Sequence, residues 1–151
     1  VAVCLGRWLF SHLPADAAIS PYLGVYLAAI LAVVGHSKPI YFGFKGGKGV
    51  LVAAGAILAV QPVLLPVLAL IFLACLLPTG MVSLGSITMA AAYPVLTLVY
   101  SLLHDLPTQD VVVCTVGAAI VGGMVIWMHR TNIQRIRDGK EYRFGQKHKS
   151  K

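Results

Sequence analysis

The segment Gly35-His36-Ser37-Lys38-Pro39-Ile40-Tyr41-Phe42-Gly43-Phe44-Lys45-Gly46-Gly47-Lys48-Gly49 gathers three lysines, one histidine and five glycines. Lysines supply charge that an anion can neutralise. Glycines let backbone N–H groups approach a ligand closely. The segment lies between two strongly apolar runs, 22–34 and 50–60, where isolated charge is costly and needs a reason. That reason is a phosphate-bearing ligand held at a membrane surface. A nucleotide P-loop is excluded, because Gly49 rather than Ser or Thr follows Lys48, and Phe42 stands where the first glycine belongs.

Two further polar groups can join it. Thr79-Gly80-Met81-Val82-Ser83-Leu84-Gly85-Ser86 enters a helix N-terminus, where Ser83 and Ser86 can add hydroxyls to free N–H groups and the positive dipole end. His129-Arg130-Thr131-Asn132 lies at a helix exit and offers donors and one imidazole. Each has a plainer reading. Lys38, Lys45 and Lys48 could be snorkelling topology signals, Ser83 and Ser86 capping or small contact residues, and His129 a boundary residue. Arg130, Arg135, Arg137, Lys140 and Arg143 read as lipid-headgroup contacts. The functional reading rests on convergence of the three groups on one face. No Cys, Asp or Glu is expected in the site, and no Ser-His-Asp or H-x4-D arrangement appears, since Tyr41 and Gln134 hold the fifth positions after His36 and His129.

Elements must bring these groups together. Hydrophobic residues make up 58% of the 151 residues and charged ones 11%, which describes an integral membrane bundle without a soluble domain. Eight of the twelve Lys and Arg residues lie from Arg130 to Lys151. The positive-inside rule accounts for them better than nucleic-acid binding does. Cys4, Cys75 and Cys114 have no metal or disulfide spacing and read as small buried hydrophobes. His12 and His104 read as outer-loop residues. The opening Val1-Ala2-Val3-Cys4-Leu5 reads as part of a transmembrane helix whose beginning lies upstream.

Ser20-Pro21 predicts a helix start and Gly35 its end. Gln61-Pro62 divides the 50–77 run into two helices, an even count of spans that puts the basic loop and the basic tail on the same side. The first of these is short, so the 35–49 loop is expected to dip into the membrane. Residues 82–103 make a span kinked at Pro94, Asp110 caps a last span over 111–128, and an amphipathic helix around Ile133 and Ile136 follows. The expectation is an all-α polytopic transmembrane bundle over 1–144, with motif loops at 35–49, 79–86 and 129–132. A disordered basic tail over 145–151 completes it. No internal repeat of the transporter type is present.

The motifs Gly35-His36, Pro39, Phe44-Lys45-Gly46-Gly47-Lys48-Gly49-Val50, then Val82-Ser83-Leu84-Gly85-Ser86-Ile87, then His129-Arg130-Thr131-Asn132-Ile133 resemble those of the bacterial membrane glycerol-3-phosphate acyltransferases that use acyl-phosphate donors (the PlsY family). The resemblance runs in order from about residue 1 to 147. It implies a seven-helix inner-membrane fold, of which about five and a half spans are expected here, with its site facing the cytoplasm. It also implies transfer of a fatty acyl group from acyl phosphate to the 1-hydroxyl of glycerol 3-phosphate, giving lysophosphatidic acid and phosphate. No cofactor or metal is expected, and the partners are those two substrates and membrane lipids. Lys45 and Lys48 with the Gly46, Gly47 and Gly49 backbone would hold phosphate. Ser83, Ser86, His129 and Asn132 would orient glycerol 3-phosphate, with His36 in support. Lys48, Ser83, His129 and Asn132 are the expected catalytic set, acting by direct transfer without an acyl-enzyme. Two departures stand out: nothing matches the family's early G-S-G-N-x-G-x-T-N element, and Gly80 occupies a position that is usually basic. The rival readings are a transporter or channel for a small phosphorylated anion, and a structural subunit that binds anionic lipid.

Overall fold

A computed structural model of the chain describes residues 1–12, 19–39, 43 and 46–145. Among these residues there are seven α-helices and no strand: α1 Ala2–Ser11, α2 Pro21–Ser37, α3 Val50–Val60, α4 Leu64–Thr79, α5 Val82–Leu103, α6 Thr108–Met128 and α7 Arg130–Arg137. The architecture of these residues is all-α, in line with the long continuous apolar runs. Two helices, α5 of 22 residues and α6 of 21, are long and apolar enough to cross a bilayer unaided. Helices α1 to α4 are shorter apolar helices of 10–17 residues.

Local chemistry sets most helix boundaries. Ser20 Oγ accepts from the Tyr22 N–H at 3.2 Å, and Pro21 takes the first helical position of α2. Helix α2 passes the expected stop at Gly35 and ends at Ser37. A helical glycine costs only about 1 kcal/mol relative to alanine. The stronger stop is Pro39, whose ring disfavours helical backbone at Lys38. The 50–77 run divides at Gln61-Pro62, where Gln61 leaves the helix and its Oε1 accepts from Thr97 Oγ1 at 3.3 Å. Helix α6 begins behind Pro107, so Asp110 lies inside its first turn instead of capping it.

Helix α2 packs between α1 and α6, α6 packs on α5, and α5 packs on α4, while α3 touches α1, α2, α4 and α6. Val33, Ile57, Leu68, Tyr93 and Val125 belong to the shared core. Pro94 removes the N–H that would bond the Ala90 carbonyl, and Gly122 brings α6 against that same oxygen, which an added Cβ would overlap. Close approach through small residues is how helices associate without a hydrophobic drive between them. The outer faces stay apolar, with Leu31, Leu51, Leu70 and Leu103 exposed as a lipid-facing surface. Of the cysteines expected to be buried, only Cys114 is; Cys75 is half-buried and Cys4 lies on an outward face of α1. Among the described residues, the starts of α3 and α5, the end of α6 and the whole of α7 converge at one end of the bundle.

Candidate active site

Helix α3 begins after Gly49, whose φ of +73° is a left-handed conformation that favours glycine. Just before it, Gly46 and Gly47 lie against the end of α2. A Cβ on Gly46 would overlap the His36 carbonyl oxygen, and one on Gly47 would come 2.5 Å from His36 Nε2. The glycines therefore let the loop press onto α2 and deliver Lys48 to the mouth of a cavity of about 420 Å³. Ser83, Ser86, His129 and Asn132 line the same cavity.

His129 is buried where α6 passes into α7, and its Nδ1–H donates to the Val125 carbonyl at 2.7 Å. A carbonyl only accepts, so Nδ1 carries the proton and Nε2 is left as an acceptor. Burial lowers the imidazole pKa below its ordinary value; nearby Lys48 adds to this, while the Val125 bond and Glu141 oppose it. The ring is neutral at pH 7.

Ser83 and Asn132 share one partner. Ser83 Oγ donates to Glu141 Oε1 at 2.6 Å, and Asn132 Nδ2 donates to the same oxygen at 2.6 Å. This overturns the expectation that no carboxylate enters the site. Glu141 reaches it because Gly139, at φ +66°, turns the chain back after α7, and the Phe144 N–H then donates to the Gly80 carbonyl at 2.7 Å. Burial alone would raise the Glu141 carboxyl, but the bonds from Ser83 and Asn132, with Lys48 and Arg135 nearby, outweigh it and hold the pKa below its ordinary value. Arg135, expected to contact lipid headgroups, lines the cavity as well. One signal pointed to Glu141: it is the only glutamate in the chain, set within a run of basic residues.

The donors and acceptors are unevenly used. Ser86 Oγ donates to the Val82 carbonyl at 3.0 Å and has only lone pairs left to offer. Asn132 Oδ1 and Glu141 Oε2 are buried without a hydrogen-bond partner. Buried acceptors without donors are costly, and two in one cavity call for a ligand that donates.

The other expected residues are placed differently. Gly46 and Gly47 line a second cavity of about 740 Å³, bounded also by Lys38, Gly123, Trp127 and Arg130. Lys48 belongs to both cavities. His36 is exposed and braces Gly47, and Gly49 shapes the start of α3; neither is among the residues lining these two cavities. Lys45 lies outside the described residues, as do positions 146–151 of the tail expected to be disordered. Among the described residues, no group of three or more His, Cys, Asp or Glu comes together as a metal site.

Fold and cavity together define a polytopic integral membrane helix bundle with its polar groups collected at one end. Residues 1–139 match the family model for glycerol-3-phosphate acyltransferase. The chain is 44% identical over 115 residues to the glycerol-3-phosphate acyltransferase of Syntrophomonas wolfei, covering 76% of this chain and 55% of that protein. It is 37% identical over 143 residues to the enzyme of the same description from Burkholderia mallei, covering 95% and 68%. Crystal structures of PlsY, an integral membrane glycerol 3-phosphate acyltransferase, superpose with TM-scores of 0.71 for the glycerol 3-phosphate form and 0.73 for the lysophosphatidic acid form. Identity is 29% and 30%, over 95% of this chain and 66% and 67% of those chains. The chain belongs to the glycerol-3-phosphate acyltransferase family. It spans 55% of the Syntrophomonas wolfei relative and 68% of the Burkholderia mallei one.

Proposed function

We propose that the protein transfers a fatty acyl group from acyl phosphate to the 1-hydroxyl of glycerol 3-phosphate, giving lysophosphatidic acid and inorganic phosphate. The observation that carries this reading is the pairing of unpartnered buried acceptors, Asn132 Oδ1 and Glu141 Oε2, with the cations Lys48 and Arg135 around one cavity. The dianionic phosphate group of an ester satisfies the cations and donates nothing to the acceptors. A polyol phosphate satisfies both, because its hydroxyls donate where its phosphate cannot.

In this scheme His129 Nε2 accepts the hydrogen bond of the attacking hydroxyl and orients it. The hydroxyl oxygen bonds to the acyl carbon, the bond from that carbon to the phosphate oxygen breaks, and the hydroxyl proton, taken up at His129 Nε2, passes from there to the departing phosphate. Lys48, at the wall shared by both cavities, stabilises the charge that develops on the leaving phosphate. Ser83 and Asn132 keep fixed orientations through Glu141. The phosphate is already a good leaving group, so positioning and charge stabilisation suffice and no acyl-enzyme forms. The position of Lys38, Lys48, Arg130 and Arg135 beside the two cavities supports a site at the cytoplasmic face of the bacterial inner membrane.

The test supplies labelled glycerol 3-phosphate to proteoliposomes holding the full-length protein. The donors are acyl phosphate, acyl-CoA and acyl carrier protein in parallel. Ester formation only with acyl phosphate, and no hydroxylamine-sensitive acyl group on Ser83 or Ser86, is the expected result. Efficient thioester use, or flux of glycerol 3-phosphate across sealed vesicles without a new ester, would reject the reading.

A further inference from the structure

The polar cavity offers its occupant acceptors on one side and cations on the other. Ser86 Oγ spends its hydrogen on the Val82 carbonyl, and the His129 ring spends its own on the Val125 carbonyl. Asn132 commits its amide nitrogen to Glu141 Oε1, which leaves Oδ1 as an acceptor. Glu141 is an ionised carboxylate at neutral pH, so Oε2 can only accept. Asn132 Oδ1 and Glu141 Oε2 are the two of these that are buried without a hydrogen-bond partner. The cations on the same cavity are Lys48 and Arg135.

This arrangement dictates which part of a ligand goes where. A phosphate ester dianion carries no hydrogen and has the same sign of charge as Glu141, so it is driven toward Lys48 and Arg135. The rest of glycerol 3-phosphate supplies two hydroxyls. His129 Nε2 takes the 1-hydroxyl in the scheme above, which leaves the 2-hydroxyl for the unpartnered pair. A carbonyl at that carbon would add a third acceptor to two that already lack donors. The buried carboxylate oxygen would then give up water and gain nothing.

We infer that Glu141, through Oε2 and together with Asn132 Oδ1, is the specificity-determining residue for the 2-hydroxyl of the acceptor substrate. The site thereby selects polyol phosphates and rejects keto phosphates of the same length. This rests on the glycerol 3-phosphate reading above. It is separate from the tie that Glu141 makes between Ser83 and Asn132, which uses Oε1 alone. One carboxylate therefore has a structural oxygen and a recognition oxygen. A site built to bind a hydroxyl discriminates strongly against the analogue without it, because the analogue leaves a buried polar group bare.

The experiment compares three acceptors on the full-length protein in liposomes, with palmitoyl phosphate as donor. Glycerol 3-phosphate, 3-hydroxypropyl phosphate and dihydroxyacetone phosphate share the phosphate and a primary hydroxyl and differ only at the middle carbon. Relative to glycerol 3-phosphate, kcat/KM is expected to fall at least roughly tenfold for 3-hydroxypropyl phosphate and roughly a hundredfold for dihydroxyacetone phosphate. In Glu141→Gln the amide oxygen takes the place of Oε1, and the amide nitrogen presents hydrogens where Oε2 only accepted. The preference for glycerol 3-phosphate over dihydroxyacetone phosphate is then expected to shrink at least roughly tenfold, a ratio that lost stability alone would not move. Use of dihydroxyacetone phosphate by the parent within about threefold of glycerol 3-phosphate, or an unchanged ratio in Glu141→Gln, would overturn the assignment. Calorimetric titration of the same three phosphates into the parent separates this inference from the reading it rests on. Equal affinities overturn the role of Glu141. The expected order of affinities supports it even where no acyl phosphate yields an ester and the functional reading fails.

Discussion

The amide of Asn132 donates to Glu141 Oε1 at 2.6 Å, although the two residues lie on opposite arms of a chain reversal. Because Ser83 donates to the same oxygen, one carboxylate ties the start of α5 to α7 and to the segment beyond it. Glu141→Ala leaves two buried donors bare and is expected to cost about 1–3 kcal/mol of stability, with the loss of most activity. Glu141→Gln retains an accepting oxygen and should recover much of the stability. Thermal unfolding in detergent, read beside ester formation, separates the two. A Glu141→Ala protein as stable as the parent would contradict the tie.

Acid should weaken the site in two stages of the same sign. His129 has a folded-state pKa below its unfolded value, so the unfolded chain binds more protons and stability falls as pH drops below roughly 6.5. Glu141 also has a depressed pKa; its contribution is complete above the unfolded carboxylate value and is lost as pH falls through the folded one. The pH profile of kcat/KM is therefore expected to show an acid limb below the ordinary histidine value. His129→Gln should remove that limb while lowering the plateau. A limb that persists in His129→Gln belongs to another group.

The glycines before Lys48 should differ in their tolerance. An added methyl at Gly46 meets the His36 and Ser37 carbonyl oxygens, which are backbone and cannot yield. At Gly47 it meets the His36 imidazole, which can swing away. Gly46→Ala is expected to abolish activity, Gly47→Ala to reduce it by roughly tenfold, and His36→Ala to restore part of the second loss but not the first. A double-mutant cycle on kcat/KM measures this. No coupling between positions 36 and 47 would refute the brace.

Arg135 and Arg137 sit two residues apart on α7, yet only Arg135 lines the polar cavity. Arg135→Ala should raise the KM for glycerol 3-phosphate by roughly tenfold, the loss of one charge-assisted contact to phosphate. Arg137→Ala should leave that KM within about twofold. Equal effects would return both residues to the lipid surface.

Position 80 gives a fifth prediction. Gly80 ends α4 with φ +69°, and its carbonyl accepts from the Phe144 N–H. Gly80→Lys, which supplies the basic residue expected at this place, should cost about 1–2 kcal/mol through the left-handed backbone. It should loosen the segment carrying Glu141 and lower activity rather than raise it. Unfolding midpoints and turnover of the variant test this, and a gain in activity would refute it.

The sequence by itself determined the membrane class, most helix boundaries and the polar motifs. These depend on local quantities: hydropathy over a span, proline geometry at Pro21 and Pro62, and glycines beside lysines. The break at Gln61-Pro62 was legible because proline removes a backbone donor whatever surrounds it. The stop of α2 at Ser37 rather than Gly35 was misjudged because a glycine tolerates the helix that Pro39 finally ends. Only the tertiary structure decided that Glu141 enters the cavity, that Arg135 faces it, and that His36 braces a glycine instead of lining the polar cavity. Each depends on a turn or an approach between distant segments, the reversal at Gly139 and the Gly80–Phe144 bond above all. Residue type and spacing carry no record of which long-range partner a side chain will meet.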